Sequence, residues 1–204
     1  TKGPSRVSLS DVGVIWLRRP RADQRQLGSP ASGLPTEHAL INNECRGAVS
    51  GVLACSFKGK WVSTPHATQR ACDKLFQLRV ARDCGFAIPP TLVSQDRDEV
   101  GEFYRQHGAR IIVKSIVGVE SAFLLTREMP DPRTLDTLSF RSCPAFYQAN
   151  VPGRRHIRLV CFGNTSLAAV LESEALDWRP NLNIPIAEWR VPEAVHNRVR
   201  HVLD

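Results

Sequence analysis

Positive charge in this chain is carried almost wholly by arginine. Of 27 Lys and Arg, set against 20 Asp and Glu, 22 are Arg and 5 are Lys, and the net charge is +7. A guanidinium is a planar fork of donors that matches phosphate or carboxylate two bonds at a time. The bias suits an anionic ligand, although a solvated basic surface would give the same sum. Single positions say more. Lys114 closes the run Ile111-Ile112-Val113, and an ammonium at the end of a buried apolar strand requires an anionic partner or a route to water. Arg158 alternates with Ile157 and Leu159, so an extended strand projects it from one face, where an anion or a cross-strand salt bridge would use it equally well. Arg179 follows Asp177-Trp178. The six cysteines form no C-x-x-C pair and have no His at zinc-finger spacing, which gives no indication of a zinc site or dithiol chemistry. They are expected as small core residues in a reducing cytoplasm.

The elements that would carry these residues alternate between periods. Residues 12–17 are predicted as a buried strand ended by Arg18-Arg19-Pro20, 21–35 as a loop, and 36–53 as an amphipathic helix with Thr36 at its N-cap. Trp61-Val62 is a short strand. Thr64-Pro65 then starts a helix whose apolar face runs through Ala67, Ala71, Leu75, Leu78 and Ala81 to Cys84-Gly85. The Pro89-Pro90 pair leads into a strand, and Asp96 can cap a helix through His107. Strands are expected over 109–116, over 122–126 as its antiparallel neighbour, over 144–151, and over 157–162 and 166–171 as a hairpin about Gly163-Asn164. A final helix is expected over 192–203. The order implies an α+β (α/β) fold in two parts, 1–88 in front and 89–204 behind. No apolar run approaches the ~20 residues of a spanning helix, and no secretory signal precedes the first strand, so the protein is expected to be soluble and without a membrane partner. Thr1 is either a processed end or the point where an upstream segment is missing.

Several of these segments in sequence resemble one family. Trp61 to His66, Ala71 to Leu78 with its Lys-x-x-Gln-Leu, and Gly85 to Leu92 with its Ile-Pro-x-Thr-Leu look like the opening of an ATP-grasp ligase. Ile111-Ile112-Val113-Lys114 resembles the strand carrying the second ATP-grasp lysine. Phe146 to Val151 resembles the hinge strand, and His156 to Val160 the strand that usually reads Asp-Ile-Arg. Val14 to Pro20 and Asp177-Trp178-Arg179 are most similar to ribosomal-peptide maturases of the microviridin type, the graspetide synthetases, with RimK-like ligases more distant. The resemblance runs from about Val12 to Arg179.

It implies an incomplete ATP-grasp fold, with a front pre-ATP-grasp-like part and an antiparallel-sheet ATP-binding part. It also implies a cytoplasmic ligase that uses ATP and Mg²⁺ to activate a carboxylate as acyl phosphate and joins it to an amine or hydroxyl. Side-chain macrocyclisation of a ribosomally made precursor peptide is the implied reaction. Lys74 and Lys114 would hold phosphates, and Gln148, Ala149 and Val151 would present hinge backbone to adenine. Arg158 and Arg179 would be the catalytic cations on the acyl phosphate, and Asn181 would complete an Arg-x-Asn pattern. Against each stands an ordinary role: solvated lysines, an edge strand, salt-bridged arginines, an Asn capping its own turn.

The sequence also departs from the pattern. His156 replaces the usual Asp, and Ser115 to Val119 offers one Gly where a glycine-rich phosphate loop is common. The family's metal ligands, an Asp and a Glu-x-Asn on later strands, would lie beyond Asp204, so a truncated chain, a sequence with parts missing or a degenerate domain is expected, and the metal ligands are unassigned. Three function classes therefore stand: the ligase, with a precursor peptide and a second copy of the chain as partners; a noncatalytic nucleotide- or peptide-binding relative; and a basic nucleic-acid-binding domain. The scattered arginines disfavour the last, and no nucleic acid is expected.

Overall fold

The structure is a computed structural model that describes residues 6–17, 35–118, 124–181 and 183–203. It divides into two compact units, Thr1–Cys72 and Asp73–Asp204. The sequence suggested a division sixteen residues later, after residue 88, and the helix between the two positions belongs with the second unit.

In the first unit, strand β1 (Val14–Trp16), helix α1 (Pro35–Ser56) and strand β2 (Lys60–Val62) form a β-α-β crossover. The strands pair in parallel, Ile15 opposite Trp61, as a connection through a helix requires. Phe57 is buried and meets Trp61 edge-on at 5.1 Å. Gly59 lets the backbones close, since a Cβ there would lie 2.5 Å from Gly13 O. Helix α2 (Pro65–Cys72) begins as expected, with Thr64 Oγ1 accepting from the Ala67 N–H at 3.2 Å. The loop expected before α1 and the Arg18-Arg19-Pro20 corner lie outside the described residues.

The long helix expected from residue 65 to 84 is two helices. Asp73 interrupts it, its carboxylate accepting from the N–H groups of Leu75 and Phe76 at 2.9 and 3.0 Å to cap helix α3 (Lys74–Asp83). An Asp side chain that bonds its own backbone competes with helix continuation, which apolar periodicity alone does not report. Gly85, at φ 81°, ends α3 as expected.

The second unit is built on two sheets. Strands β3 (Thr91–Ser94), β4 (Ile111–Lys114), β5 (Arg127–Glu128) and β6 (Ala145–Ala149) form the first, in the order β3-β6-β4-β5, with every pairing antiparallel. The neighbour of β4 is thus Arg127-Glu128, not 122–126: residues 124–126 carry no strand, and 119–123 lie outside the described residues. One face of this sheet makes the core. Ile111 and Tyr147 pack with Val100 of helix α4 (Arg97–Gln106), with Met129, and with Phe140 of a short helix α5 (Thr137–Arg141) that the sequence did not suggest. At roughly 1.5–3 kcal/mol per buried large apolar side chain, this layer holds the sheet rigid. Asp96 caps α4 as predicted, accepting from Asp98 and Glu99 N–H. The opposite face carries Thr91, Ile112, Lys114, Phe146 and Gln148, because β residues alternate.

The second sheet joins strands β7 (Arg155–Phe162), β8 (Thr165–Glu172) and β9 (Ile186–Glu188) in that order. The hairpin closes at Gly163-Asn164 as expected, with Phe162 opposite Thr165 and Gly163 at φ 54°. Helix α6 (Glu193–Leu203) follows, tied to α3 by Arg198 Nη1 donating to Gly85 O at 2.9 Å. Among the described residues, no helix is long and apolar enough to cross a membrane.

Candidate active site

Within the second unit, a cavity of about 480 Å³ gathers side chains from both sheets and from α3. Lys74, Lys114, Arg158 and Arg179, distant in sequence and on four different segments, all line it. So do His156, Asp177 and Trp178.

Each cation is held in its own way. Lys74 begins α3, and its Nζ donates to the carbonyl of Ser115 and to that of Ile116 at 2.6 Å. The segment that leaves β4 is thereby pinned to the helix. Lys114 donates to Gln148 Oε1 at 2.9 Å and lies 5.9 Å from the Phe146 ring centroid. Neither ammonium bonds a carboxylate among the described residues. Burial lowers the pKa of Lys74 below the ordinary lysine value, with Arg179 adding to it. Burial lowers that of Lys114 as well, followed by the charges of Lys74 and Arg179, while Asp177 partly opposes the shift. Two ammonium groups short of counter-charge in one cleft attract a multiply charged anion.

The arginines differ. Arg179 Nε donates to Asp177 Oδ1 at 2.7 Å, and its Nη2 donates to Asp177 Oδ2. Asp177 also accepts from the Thr126 N–H at 3.0 Å, and its side chain is only 7% exposed. The Arg179 bonds hold the Asp177 carboxyl far below the usual carboxylate range, and Asp177 in turn raises the pKa of Arg179. Arg158 lies over the Trp178 ring, 5.1 Å from its centroid. No carboxylate is within salt-bridge range of Arg158 among the described residues. His156 shares the β7 face with Arg158, and its Nε2 is buried without a partner.

The remaining sequence candidates are placed elsewhere. Gln148 is buried at 7% exposure in the middle strand of its sheet, with neighbours on both sides. The Ala149 N–H already donates to Pro90 O at 2.9 Å. Val151 lies past the strand end and is 67% exposed. Asn181 Oδ1 accepts from the Asn183 N–H at 3.0 Å, capping its own turn, and Asn181 does not line the cavity. Asp177 was not singled out from the sequence, although its spacing to Arg179 carried the signal.

The described residues do not fit a Mg²⁺ site. They include no group of three His, Cys, Asp or Glu placed to hold a metal ion. Asp177, the one carboxylate on the cavity wall among the described residues, has both oxygens engaged by Arg179 and Thr126.

The α+β unit, with its two antiparallel sheets and the cleft they wall, shares the ATP-grasp fold of its structural neighbours. Solved structures of that fold align with nearly the whole chain. The macrocyclase MdnC from Microcystis aeruginosa MRC, bound with precursor peptide MdnA, superposes with a TM-score of 0.81 at 23% identity, over 100% of this chain and 65% of that one. A Chryseobacterium gregarium RiPP-associated ATP-grasp ligase, in complex with ADP and a leader and core peptide, gives 0.74 at 20% identity, over 95% and 61%. The ATP-grasp ligase PsnB, complexed with minimal precursor, Mg and ADP, gives 0.67 at 19%, over 93% and 60%. This chain spans less than two thirds of each. No protein-family model and no curated protein matches the sequence.

Proposed function

We propose that this chain is the nucleotide-binding part of an ATP-dependent ligase that activates a carboxylate of a ribosomally made precursor peptide and joins it to an amine or hydroxyl. The observation that carries the reading is the convergence of Lys74 and Lys114 on one cleft, both partly desolvated and both bonded only to neutral oxygens among the described residues. Neighbours of the same fold crystallised with nucleotide and precursor peptide support it.

Lys74 and Lys114 would bind the polyphosphate, and the backbone beyond β6, around Val151, would pair with adenine. Attack of the peptide carboxylate on the terminal phosphorus gives an acyl phosphate and ADP. Charge then develops on oxygens that Arg158 and Arg179 can reach. The acceptor amine or hydroxyl attacks the acyl carbon, and inorganic phosphate leaves with the electron pair of the broken C–O bond. Arg158 is the readier of the two, since its contact is with the face of the Trp178 ring and it has no carboxylate in salt-bridge range among the described residues. Arg179 must share its fork with Asp177. Mg²⁺ belongs to the reading by analogy with the neighbours, but no step is derived through it, because the described residues offer it no ligand set.

The test is thermal unfolding with and without ATP. Lys114→Ala should retain the fold, because the β4 ladder does not depend on its side chain, and should lose the ATP-dependent rise in Tm. Equal stabilisation of variant and parent would return Lys114 to a solvent-seeking surface residue.

A further inference from the structure

On the cleft face of the first sheet, a chain of three hydrogen bonds ends on Lys114. Thr91 Oγ1 donates its single proton to Pro89 O at 2.9 Å. With that proton committed, the hydroxyl can only accept, and it accepts from Gln148 Nε2 at 2.9 Å. The amide is thereby turned so that Oε1 faces Lys114, whose Nζ donates to it at 2.9 Å. The other end demands the same orientation, because an ammonium has no lone pair to offer. Strand register makes the chain possible: Thr91 stands directly opposite Gln148 on one side, and Lys114 lies diagonally across from it on the other.

A carboxamide at this position does something a carboxylate would not. It orients the ammonium through a good acceptor and leaves its unit charge unneutralised. We propose that the Gln148 side chain is the positioning residue for Lys114, aiming its Nζ into the cleft while reserving its whole charge for the phosphates of the ligand. The inference rests on the nucleotide reading of the cleft and adds a side-chain role at a position where the sequence suggested only backbone pairing with adenine. Burial of Gln148 on an inner strand fits this role, since 7% exposure gives water little access to compete for the amide. Burial, with the charges of Lys74 and Arg179, lowers the Lys114 pKa, and a neutral acceptor adds no charge to oppose it.

The experiment compares the parent chain with Gln148→Glu and Thr91→Val in ATP titration calorimetry at pH 7 and pH 9, with the titration of Lys114 followed by NMR of reductively methylated lysines. The introduced carboxylate has nearly the shape of the native amide, but it pairs with Lys114 as an ion. Gln148→Glu should weaken ATP binding by about tenfold or more, the size of one hydrogen bond to a charged group. It should also raise the Lys114 titration toward the ordinary lysine range and so remove the Lys114 share of any proton uptake on ATP binding, leaving that of Lys74. Thr91→Val frees the amide to rotate and should weaken ATP binding severalfold without raising the Lys114 titration. It also keeps the test decisive if Gln148→Glu does not fold. Parental ATP affinity in Gln148→Glu, or an unmoved Lys114 titration, overturns the positioning role and leaves the nucleotide reading standing. A parent chain that binds no ATP overturns the nucleotide reading, and this proposal with it.

Discussion

The cleft has two walls that handle positive charge in opposite ways. On the first sheet, Lys114 is drawn in from solvent and given a neutral partner, Gln148, and Lys74 likewise leans on two backbone carbonyls. Beside the hairpin, Arg179 is locked to Asp177 by two bonds of its fork, and Arg158 rests on the face of Trp178. Among the described residues, one wall gives its charge only neutral oxygens, and the other holds its charge on a local partner, a carboxylate for Arg179 and an aromatic face for Arg158. A group that must bind an anion in the ground state gains from being short of counter-charge before the ligand arrives. A group needed as charge builds during reaction can be kept oriented by an internal partner until then, because only interactions stronger in the transition state raise turnover. On the proposed function, the contrast would give the lysines to binding and the arginines to chemistry.

The sharpest way to break that division is to remove an arginine. Arg179→Ala, assayed in a protein that carries out the ligation, should keep ATP binding near parental level and lose turnover by about 2–4 kcal/mol, the range for loss of one oxyanion donor. Loss of ATP affinity in the same proportion would move Arg179 to the nucleotide. Because truncation also bares the Asp177 carboxylate, Arg179→Ala with Asp177→Asn is the cleaner comparison, and the double variant should show the same turnover defect.

A second test uses pH. Both lysines have folded pKa values below their ordinary 10.5, so above those lowered values the unfolded chain holds more protons than the folded one. Stability of the ligand-free chain should therefore rise with pH between the lowered values and about 10.5. Bound phosphate reverses the shift, so ATP binding measured above the lowered values should take up protons and its heat should depend on the ionisation enthalpy of the buffer. A buffer-independent heat across that range, up to about 10.5, would show that the lysines are not the groups meeting the phosphate. Asp177 gives a slope of the same sign in the acid range: its depressed pKa contributes stability at neutral pH, which is lost as pH falls through the folded value. Its partner Arg179 is 40% exposed, so water screens the pair and the acid-side effect should be the smaller.

The smallest expected effect is at a residue that does not line the cleft. Asp73→Ala removes the cap of α3 and should cost about 1 kcal/mol of stability in denaturant unfolding. It should weaken ATP binding through Lys74 and leave Lys114 untouched. A variant with lower stability but parental ATP affinity would separate the cap from the site.

What the sequence made legible was what is local. The Gly163-Asn164 hairpin, the Asp96 cap and the apolar run before Lys114 each follow from residues within a few positions of one another, and the structure contains all three. The break at Asp73 was hidden because apolar spacing continues through Ala71 and Leu75 as though one helix ran on. Strand β9 is three exposed residues, Ile186–Glu188, too short to show a period. The Gln148 side chain was beyond reach for another reason. Its meeting with Lys114 depends on the register of β6 with β4, and its orientation on the pairing of β6 with β3. Those are facts about which strands lie side by side, not about either strand alone. His156 was noted only as a departure from a pattern, and its buried Nε2 appears once the hairpin is folded.

Asp73 has a further consequence. Lys74 is the first residue of α3, so the root of a side chain with four rotatable bonds is fixed by a cap one residue away. Freedom at that root multiplies the freedom of everything beyond it. The cap therefore sets how many conformations the ammonium must abandon when a ligand arrives, without altering the bond it finally makes. A weakened cap should appear in calorimetry as a less favourable binding entropy at nearly constant enthalpy, the signature of a lost restraint and not of a lost contact.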